Sequence, residues 1–166
     1  MEQMIAKVSD LRRTGQAMEA RELLLEALEQ EPKEAELWYQ TAWTHDVLGM
    51  EREAVPFYEK SLGMALAADS RRGAILGLSS TYRVLGDYAK AKAWLDTGMN
   101  EFPDYRPFRV FYAMVLYNLG EHGKAMEGLL MELAETTADI TLQEYSRAIQ
   151  YYADKLGPDR GISRPE

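Results

Sequence analysis

Cysteine is absent from this sequence of 166 residues. Disulfide frameworks, thiol nucleophiles and thiolate metal sites are therefore excluded. The absence fits a reducing cytoplasm. Histidine is scarce: His45 and His122 are far apart and lie in no ligand spacing such as HExxH. The glycines are scattered, and none form the GxxxxGKS or GxxxxGKT loop that cradles a phosphate. Long apolar runs are missing too, so nothing reaches the length needed to span a bilayer. The N-terminal MEQMIAKVSDLRR is charged and periodic and lacks the apolar stretch of a signal peptide. Basic residues are outnumbered, 19 Lys and Arg against 27 Asp and Glu, for a net charge of −8. That balance argues against a nucleic-acid partner and against anionic membrane surfaces. These absences point to a cytoplasmic protein that is not an enzyme, with no catalytic residues, no metal and no cofactor.

What the sequence does have is repetition. A Gly is followed five residues later by an Ala at Gly15/Ala20, Gly49/Ala54, Gly86/Ala91 and Gly120/Ala125, with intervals of 34, 37 and 34 residues. A period of that size belongs to helix–turn–helix units stacked in a solenoid. Each Gly is flanked by two segments with apolar residues at i, i+3 and i+4, which predicts two amphipathic helices per copy. The Gly permits the left-handed conformation that ends a helix. Seven residues before it come Val8, Ala42, Ser79 and Ala113, small enough for two helices to approach closely. The Ala does the same on the second helix. Leu24, Tyr58, Leu95 and Leu129, continued by Leu28, Leu62, Met99 and Leu133, are expected to fill the space between helices. Pro32 and Pro103 end two of the second helices, and Pro56 is expected to bend another.

With those residues in place the chain resembles the tetratricopeptide repeat family. Trp38, Ala42, Gly49, Ala54, Tyr58 and Leu62 follow its pattern in the second copy, and Ser79, Tyr82, Gly86, Ala91, Leu95 and Pro103 in the third. The segment THDVLGMEREAVPFYEKSL is similar to small stand-alone bacterial members. The resemblance implies an all-α fold, a right-handed α-α superhelix of four helix–turn–helix repeats plus a C-terminal capping helix. The expected single domain covers 1–156, with repeats at about 1–34, 35–71, 72–105 and 106–138. The capping helix covers about 139–156 and a flexible tail 157–166. Leu142, Tyr145, Ile149, Tyr152 and Leu156 are spaced so that one face of the cap would lie on the last repeat.

Three departures stand out. Extra residues near 63–71 are expected to extend the second helix of the second repeat by about a turn, with Asp69 or Ser70 capping the next. Arg109 replaces a large apolar residue and Glu132 a small one, which makes the fourth repeat's packing irregular. His45 occupies a slot where the family prefers Tyr and is expected to be hydrogen-bonded and partly buried, while His122 reads as surface.

In this family the first helix of each repeat lines a concave groove. Carried over by position, that groove comprises Ile5, Ser9, Arg12 and Arg13, then Tyr39, Trp43, Asp46 and Val47, then Leu76, Ser80, Arg83 and Val84, and finally Val110, Met114, Tyr117 and Asn118. Helical spacing independently puts Tyr39, Trp43 and Asp46 on one face, and likewise Leu76 with Arg83 and Val110 with Met114 and Tyr117. Such stripes mark an interaction surface. The function implied is a scaffold binding a peptide or amphipathic helix in the groove. Tyr39, Trp43 and Met114 would supply apolar contact, and Asp46 and Arg83 would fix register. A secretion-type chaperone for an exported client, and a homodimer built through the groove or terminal helix, are the alternatives. The carboxylate-clamp positions of related co-chaperones fall on Ile5, Ser9, Gln40, Gly73 and Gly77. No cation stands there, so capture of an acidic chain terminus is disfavoured.

Overall fold

The computed structural model describes residues 1–157. Among the described residues there are ten helices and no strand. They are α1 (Glu2–Arg13), α2 (Ala17–Gln30), α3 (Ala35–Val47), α4 (Glu51–Leu62), α5 (Ala68–Val84), α6 (Tyr88–Glu101), α7 (Pro107–Asn118), α8 (His122–Thr136), α9 (Ile140–Glu144) and α10 (Ser146–Tyr152). The all-α, helix–turn–helix architecture is as expected. The chain divides into two compact units, Met1–Gly98 and Met99 onward, and the division falls inside α6.

One turn is used four times. Gly15, Gly49, Gly86 and Gly120 have φ of 82°, 70°, 83° and 82°, a region glycine enters without a Cβ clash. The residue after each Gly donates its N–H to the carbonyl five residues back: Gln16 to Leu11, Met50 to His45, Asp87 to Tyr82 and Glu121 to Leu116, all at 2.8–2.9 Å. These are Schellman closures, which satisfy carbonyls that the helix end would otherwise orphan.

In the first unit α1 packs on α2, α2 on α3, α3 on α4, and α4 on α5. Val8, Ala42, Ser79, Ala20, Ala54 and Ala91 are all buried. The Ser79 hydroxyl donates to the Ile75 carbonyl at 2.6 Å, so a polar residue is tolerated in a small-residue slot. Val8, Leu11, Leu24, Leu28 and Leu37 form one apolar cluster. The α5 helix comes closest to its neighbours at two glycines. A β-carbon on Gly77 would overlap the Tyr58 hydroxyl and lie 2.5 Å from its Cζ. One on Gly73 would overlap the Tyr39 hydroxyl and lie 2.9 Å from its Cζ.

The irregular join differs from the sequence expectation. The α4 helix stops at Leu62 and is not extended through GMALAAD; Pro56 lies within it. The guanidinium of Arg71 donates to the Leu62 carbonyl at 3.1 Å, capping α4 from the next helix. The extra residues instead lengthen the turn and start α5 at Ala68, before the repeat limit placed at Arg72. Ala67 is its N-cap residue, so neither Asp69 nor Ser70 caps it. Asp69 accepts from Arg72 within the helix.

In the second unit α7 begins with Pro107 at its first turn, where a missing N–H costs nothing. Phe108 is buried between Phe102 and Tyr105, and Ala113, Leu116 and Ala125 cluster where α7 meets α8. The two departures from the repeat pattern find each other. Arg109 Nη1 lies 3.1 Å from Glu132 Oε1, and Arg106 Nη1 lies 2.9 Å from Glu132 Oε2 and 2.8 Å from Glu135 Oε2. Leu129 and Leu133, expected between helices, are exposed instead.

The expected capping helix is also revised. Tyr145, at φ −100° and ψ 2°, separates α9 from α10. Asp139 caps α9 by accepting from the Thr141 and Leu142 amides at 2.9 and 3.1 Å. The break at Tyr145 changes the phase of the helical period, so the five apolar residues no longer share one face. Ala153 is buried and Ile149 half-buried, whereas Leu142, Tyr145, Tyr152 and Leu156 are exposed. Beyond Gly157 the expected tail lies outside the described residues.

Two stability predictions follow from this packing. Burial pushes the Glu132 carboxyl up, and hydrogen bonds from Arg106 and Arg109 outweigh it, holding the group below the ordinary 4.5. A depressed folded value gives stabilisation that is complete above the ordinary value and fades as pH falls through the folded one. Glu132→Gln should cost about 1 kcal/mol at neutral pH, where the charge-assisted bonds are intact. The deficit should shrink below about pH 4. Thermal melts followed by circular dichroism check this, and equal melting temperatures at pH 7 would count against it. Gly77→Ala should destabilise by roughly 1–3 kcal/mol through overpacking, despite alanine's helix advantage of about 1 kcal/mol. Gly73→Ala should cost less, because Tyr39 is only half-buried whereas Tyr58 is fully buried. Urea unfolding of the two variants side by side tests the contrast; a stabilised Gly77→Ala would refute the packing described.

Candidate functional site

Seven of the ten expected site residues lie in the first unit, on α1, α3 and α5. These helices are held side by side by contacts of α3 with both α1 and α5. Ile5 is half-buried and packs on the apolar cluster beneath. Arg12 reaches from α1 to α3. Its Nη2 donates to Gln40 Oε1 at 2.6 Å, and its Nη1 to the Thr44 hydroxyl at 3.1 Å and the Gln40 carbonyl at 3.3 Å. Gln40 in turn donates to Glu36 at 2.7 Å. Burial draws the Arg12 guanidinium below its ordinary value, against raising contributions from Tyr39, Tyr58 and Glu36.

The guanidinium sits over the Trp43 indole with its Cζ 3.9 Å from the ring centroid. The Tyr39 ring, one turn earlier on α3, lies 6.1 Å from that of Trp43 and 22° from parallel. Four residues apart on one helix, these two rings share a face. Trp43 is thereby fixed in place, yet it remains 41% exposed. Val47, one turn on from it in α3, and Val84 on α5 are exposed, and Leu76 is half-buried.

Asp46 is used differently from the role its position suggested. Its Oδ2 accepts from the Tyr58 hydroxyl at 2.7 Å, and the Thr81 hydroxyl lies 2.9 and 3.0 Å from the two carboxylate oxygens. One carboxylate therefore joins α3, α4 and α5. Burial pushes the Asp46 carboxyl up, with the Tyr58 and Thr81 hydrogen bonds opposing. Burial and the Asp46 charge together push the Tyr58 phenol up. Arg83 is half-buried on α5.

The other three expected residues, Val110, Met114 and Tyr117, lie on α7 in the second unit. Val110 is half-buried, and Met114 and Tyr117 are exposed. The Tyr117 ring lies 4.5 Å from that of His122 across the hairpin turn.

Sequence reasoning missed Gln40, Thr44, Tyr58 and Thr81 as builders of this face. A signal was present: Gly73 and Gly77 are four residues apart on α5, and a large ring from a neighbour was needed to fill the space each leaves. His45 is fully buried, more so than expected. Its Nε2 accepts from Arg21 Nε at 3.1 Å, so Nδ1 carries the proton that goes to the Thr41 carbonyl at 2.7 Å. Its ring stacks on Phe57 at 4.8 Å. This is a structural histidine. Among the described residues no group of three or more His, Asp or Glu is placed to hold a metal. No described helix is long and apolar enough to cross a membrane.

Several solved structures share this fold. MamA is 16% identical, with 88% of this chain and 91% of that one covered at a TM-score of 0.67. A putative kinesin light chain from Podosopora anserina with nearly identical tetratricopeptide-like repeats is 18% identical, with 92% and 84% covered at 0.69. YrrB, described as a tetratricopeptide repeat protein with an unusual peptide-binding site, is 17% identical, with 89% and 85% covered at 0.62. No curated protein matches the sequence. Residues 35–156 match the family described as Tetratrico peptide repeat. Four identical glycine-closed hairpins, the shared solenoid fold and that match over most of the sequence agree: the chain belongs to the tetratricopeptide repeat family, whose members are typically protein–protein interaction scaffolds.

Proposed function

We propose that the α1–α3–α5 face of the first unit binds an amphipathic helix or an extended apolar segment of a partner protein. The observation that carries this reading is Trp43. It is a large ring with a guanidinium over its face and a tyrosine ring nearby on the same helix, yet still exposed. A preorganised aromatic loses little entropy on binding, which is what an interface anchor requires. The polar groups beneath it are largely committed to one another. Gln40, Thr44 and Glu36 engage Arg12 and each other, and Asp46 is taken by Tyr58 and Thr81. What this face offers is therefore mainly apolar: Trp43 and Val47 on α3, Leu76 and Val84 on α5. A partner's apolar stripe at i, i+3 and i+4 suits such a surface better than a charged terminus does. The clamp positions point the same way, since the space above Gly73 and Gly77 is filled by Tyr39 and Tyr58. Asp46 holds α3, α4 and α5 together beneath the face and is not offered to the partner. The peptide-binding description of YrrB is in keeping with this use of the fold.

Trp43→Ala should weaken partner binding by about 2 kcal/mol or more, roughly 30-fold in Kd. A partner recovered from native cells on the wild-type chain would be titrated calorimetrically against both proteins. Undiminished affinity, with the circular dichroism spectrum intact, would remove Trp43 and this face from the function.

A further inference from the structure

One position separates the fourth hairpin from the other three. Eight residues after the closing glycine, the second helix carries Leu23, Phe57 and Trp94 in the first three copies and Gly128 in the fourth. In the second copy the Phe57 ring lies 5.7 Å from that of Trp38 and 4.8 Å from that of His45, which stand eleven and four residues before Gly49. A ring on α4 thus covers two places on α3. In the first copy the same two places hold Met4 and Leu11, and Met4 and Leu23 pack on the apolar cluster that contains Leu11. The counterparts in the fourth copy are Arg109 and Leu116, with Gly128 facing them from α8.

All three line a cleft of ≈ 480 Å³ within the second unit. Its size falls in the range of roughly 300–1,000 Å³ usual for ligand sites. Met99, Tyr112 and Met131 add apolar wall. A β-carbon on Gly128 would meet Ala113 Cβ at 3.9 Å and nothing nearer, so the space that Phe57 occupies in its own hairpin is open here. Close-packed proteins seldom leave such a volume empty.

Charge narrows the occupant. Arg109 pairs with Glu132, Glu135 with Arg106, and Lys124 with Glu121. Glu127 also lines the cleft and is half-buried, and among the described residues none is bonded to it. A partly desolvated carboxylate gains from a cation brought in with the ring. We propose that the α7–α8 cleft receives an aromatic side chain of a partner protein, with a neighbouring Lys or Arg of the partner pairing with Glu127. The partner's ring supplies what Phe57 supplies within the second hairpin. This site does not rest on the Trp43 face.

The probe is the acetylated and amidated dipeptide Phe-Lys, titrated into the full chain with isotope-labelled methionine methyl groups and followed by NMR. The Met99 and Met131 signals, assigned by leucine substitution, should shift with a Kd of about 1 mM. Met18 and Met50, in the first unit, should not respond. An Ala-Lys probe should bind about tenfold more weakly or worse, for want of the ring. A Phe-Glu probe should bind about fivefold more weakly, and Glu127→Gln should erase that difference. Gly128→Phe should abolish the shifts by filling the cleft from within, and should raise the melting temperature by about 3 °C. If that variant loses its helical circular dichroism, Gly128→Leu, which copies the first hairpin, makes the same test. Unmoved Met99 and Met131 signals at about 5 mM Phe-Lys, equal affinity for Phe-Glu, or undiminished binding by the filled variant would overturn the proposal.

Discussion

Two antiparallel helices joined by a tight turn can lie close together only if the residues where they cross are small and the turn can reverse without strain. This chain meets that constraint four times with the same chemistry. A glycine in the left-handed region closes each first helix, and its successor returns an N–H to the carbonyl five residues earlier. The residue seven before the glycine and the alanine five after it are buried in every copy. Everything else about the surface follows from which sides of the helices this crossing consumes. The part of a first helix that this crossing does not use is open to other contacts, and there the chain has placed Arg12 and Trp43, with Tyr39 at its edge against Tyr58.

That face is organised by polar groups that act on one another more than on solvent. Arg12 sits between Gln40 and the Trp43 ring, and Asp46 ties three helices through two hydroxyls. Burying a charge is costly unless hydrogen bonds replace the lost water, so each of these groups fixes the side chains around it. The result separates two tasks. The polar groups hold the helices in register, and the exposed aromatic and aliphatic groups remain for contact. Gly73 and Gly77 belong to the first task, because only a missing β-carbon lets the Tyr39 and Tyr58 hydroxyls reach so far across α5.

The hairpins were legible in the sequence because their determinant is local: a glycine's φ and a small residue's volume are properties of single positions. What depended on a second, distant residue was read less well. Arg109 and Glu132 each look like a defect in the repeat pattern, and only their approach across α7 and α8 shows that they compensate each other. Helical spacing puts Asp46 on one face with Tyr39 and Trp43, but its partners Tyr58 and Thr81 come from two other helices and no single segment shows that they meet. The run GMALAAD has high helix propensity, which alone predicts an extension of α4. The Arg71 guanidinium that caps the Leu62 carbonyl comes from nine residues further on, and it ends the helix sooner than propensity suggests.

Leu129 and Leu133 show the limit of pattern reading most plainly. In type and position they match Leu24 and Leu28, and nothing about them alone predicts a different burial. Whether such a stripe is covered depends on the helix that follows, and here that helix is interrupted at Tyr145. An uninterrupted helix over the same residues would have aligned Leu142, Tyr145, Ile149, Tyr152 and Leu156 on one face, long enough to lie along α8. The break leaves a shorter helix to pack there, with Ala153 buried just beyond its end, and leaves Tyr145, Tyr152 and Leu156 exposed. Leaving a leucine partly exposed forfeits on the order of 1 kcal/mol of burial, so the arrangement costs the isolated chain stability at several positions at once. The exposed face of α3 has a different origin. There the hairpin is complete, every small-residue contact is made, and Trp43 is outward because nothing in the repeat requires it inward. One open surface is thus left by packing that is complete, and the other by a following helix that is interrupted at Tyr145.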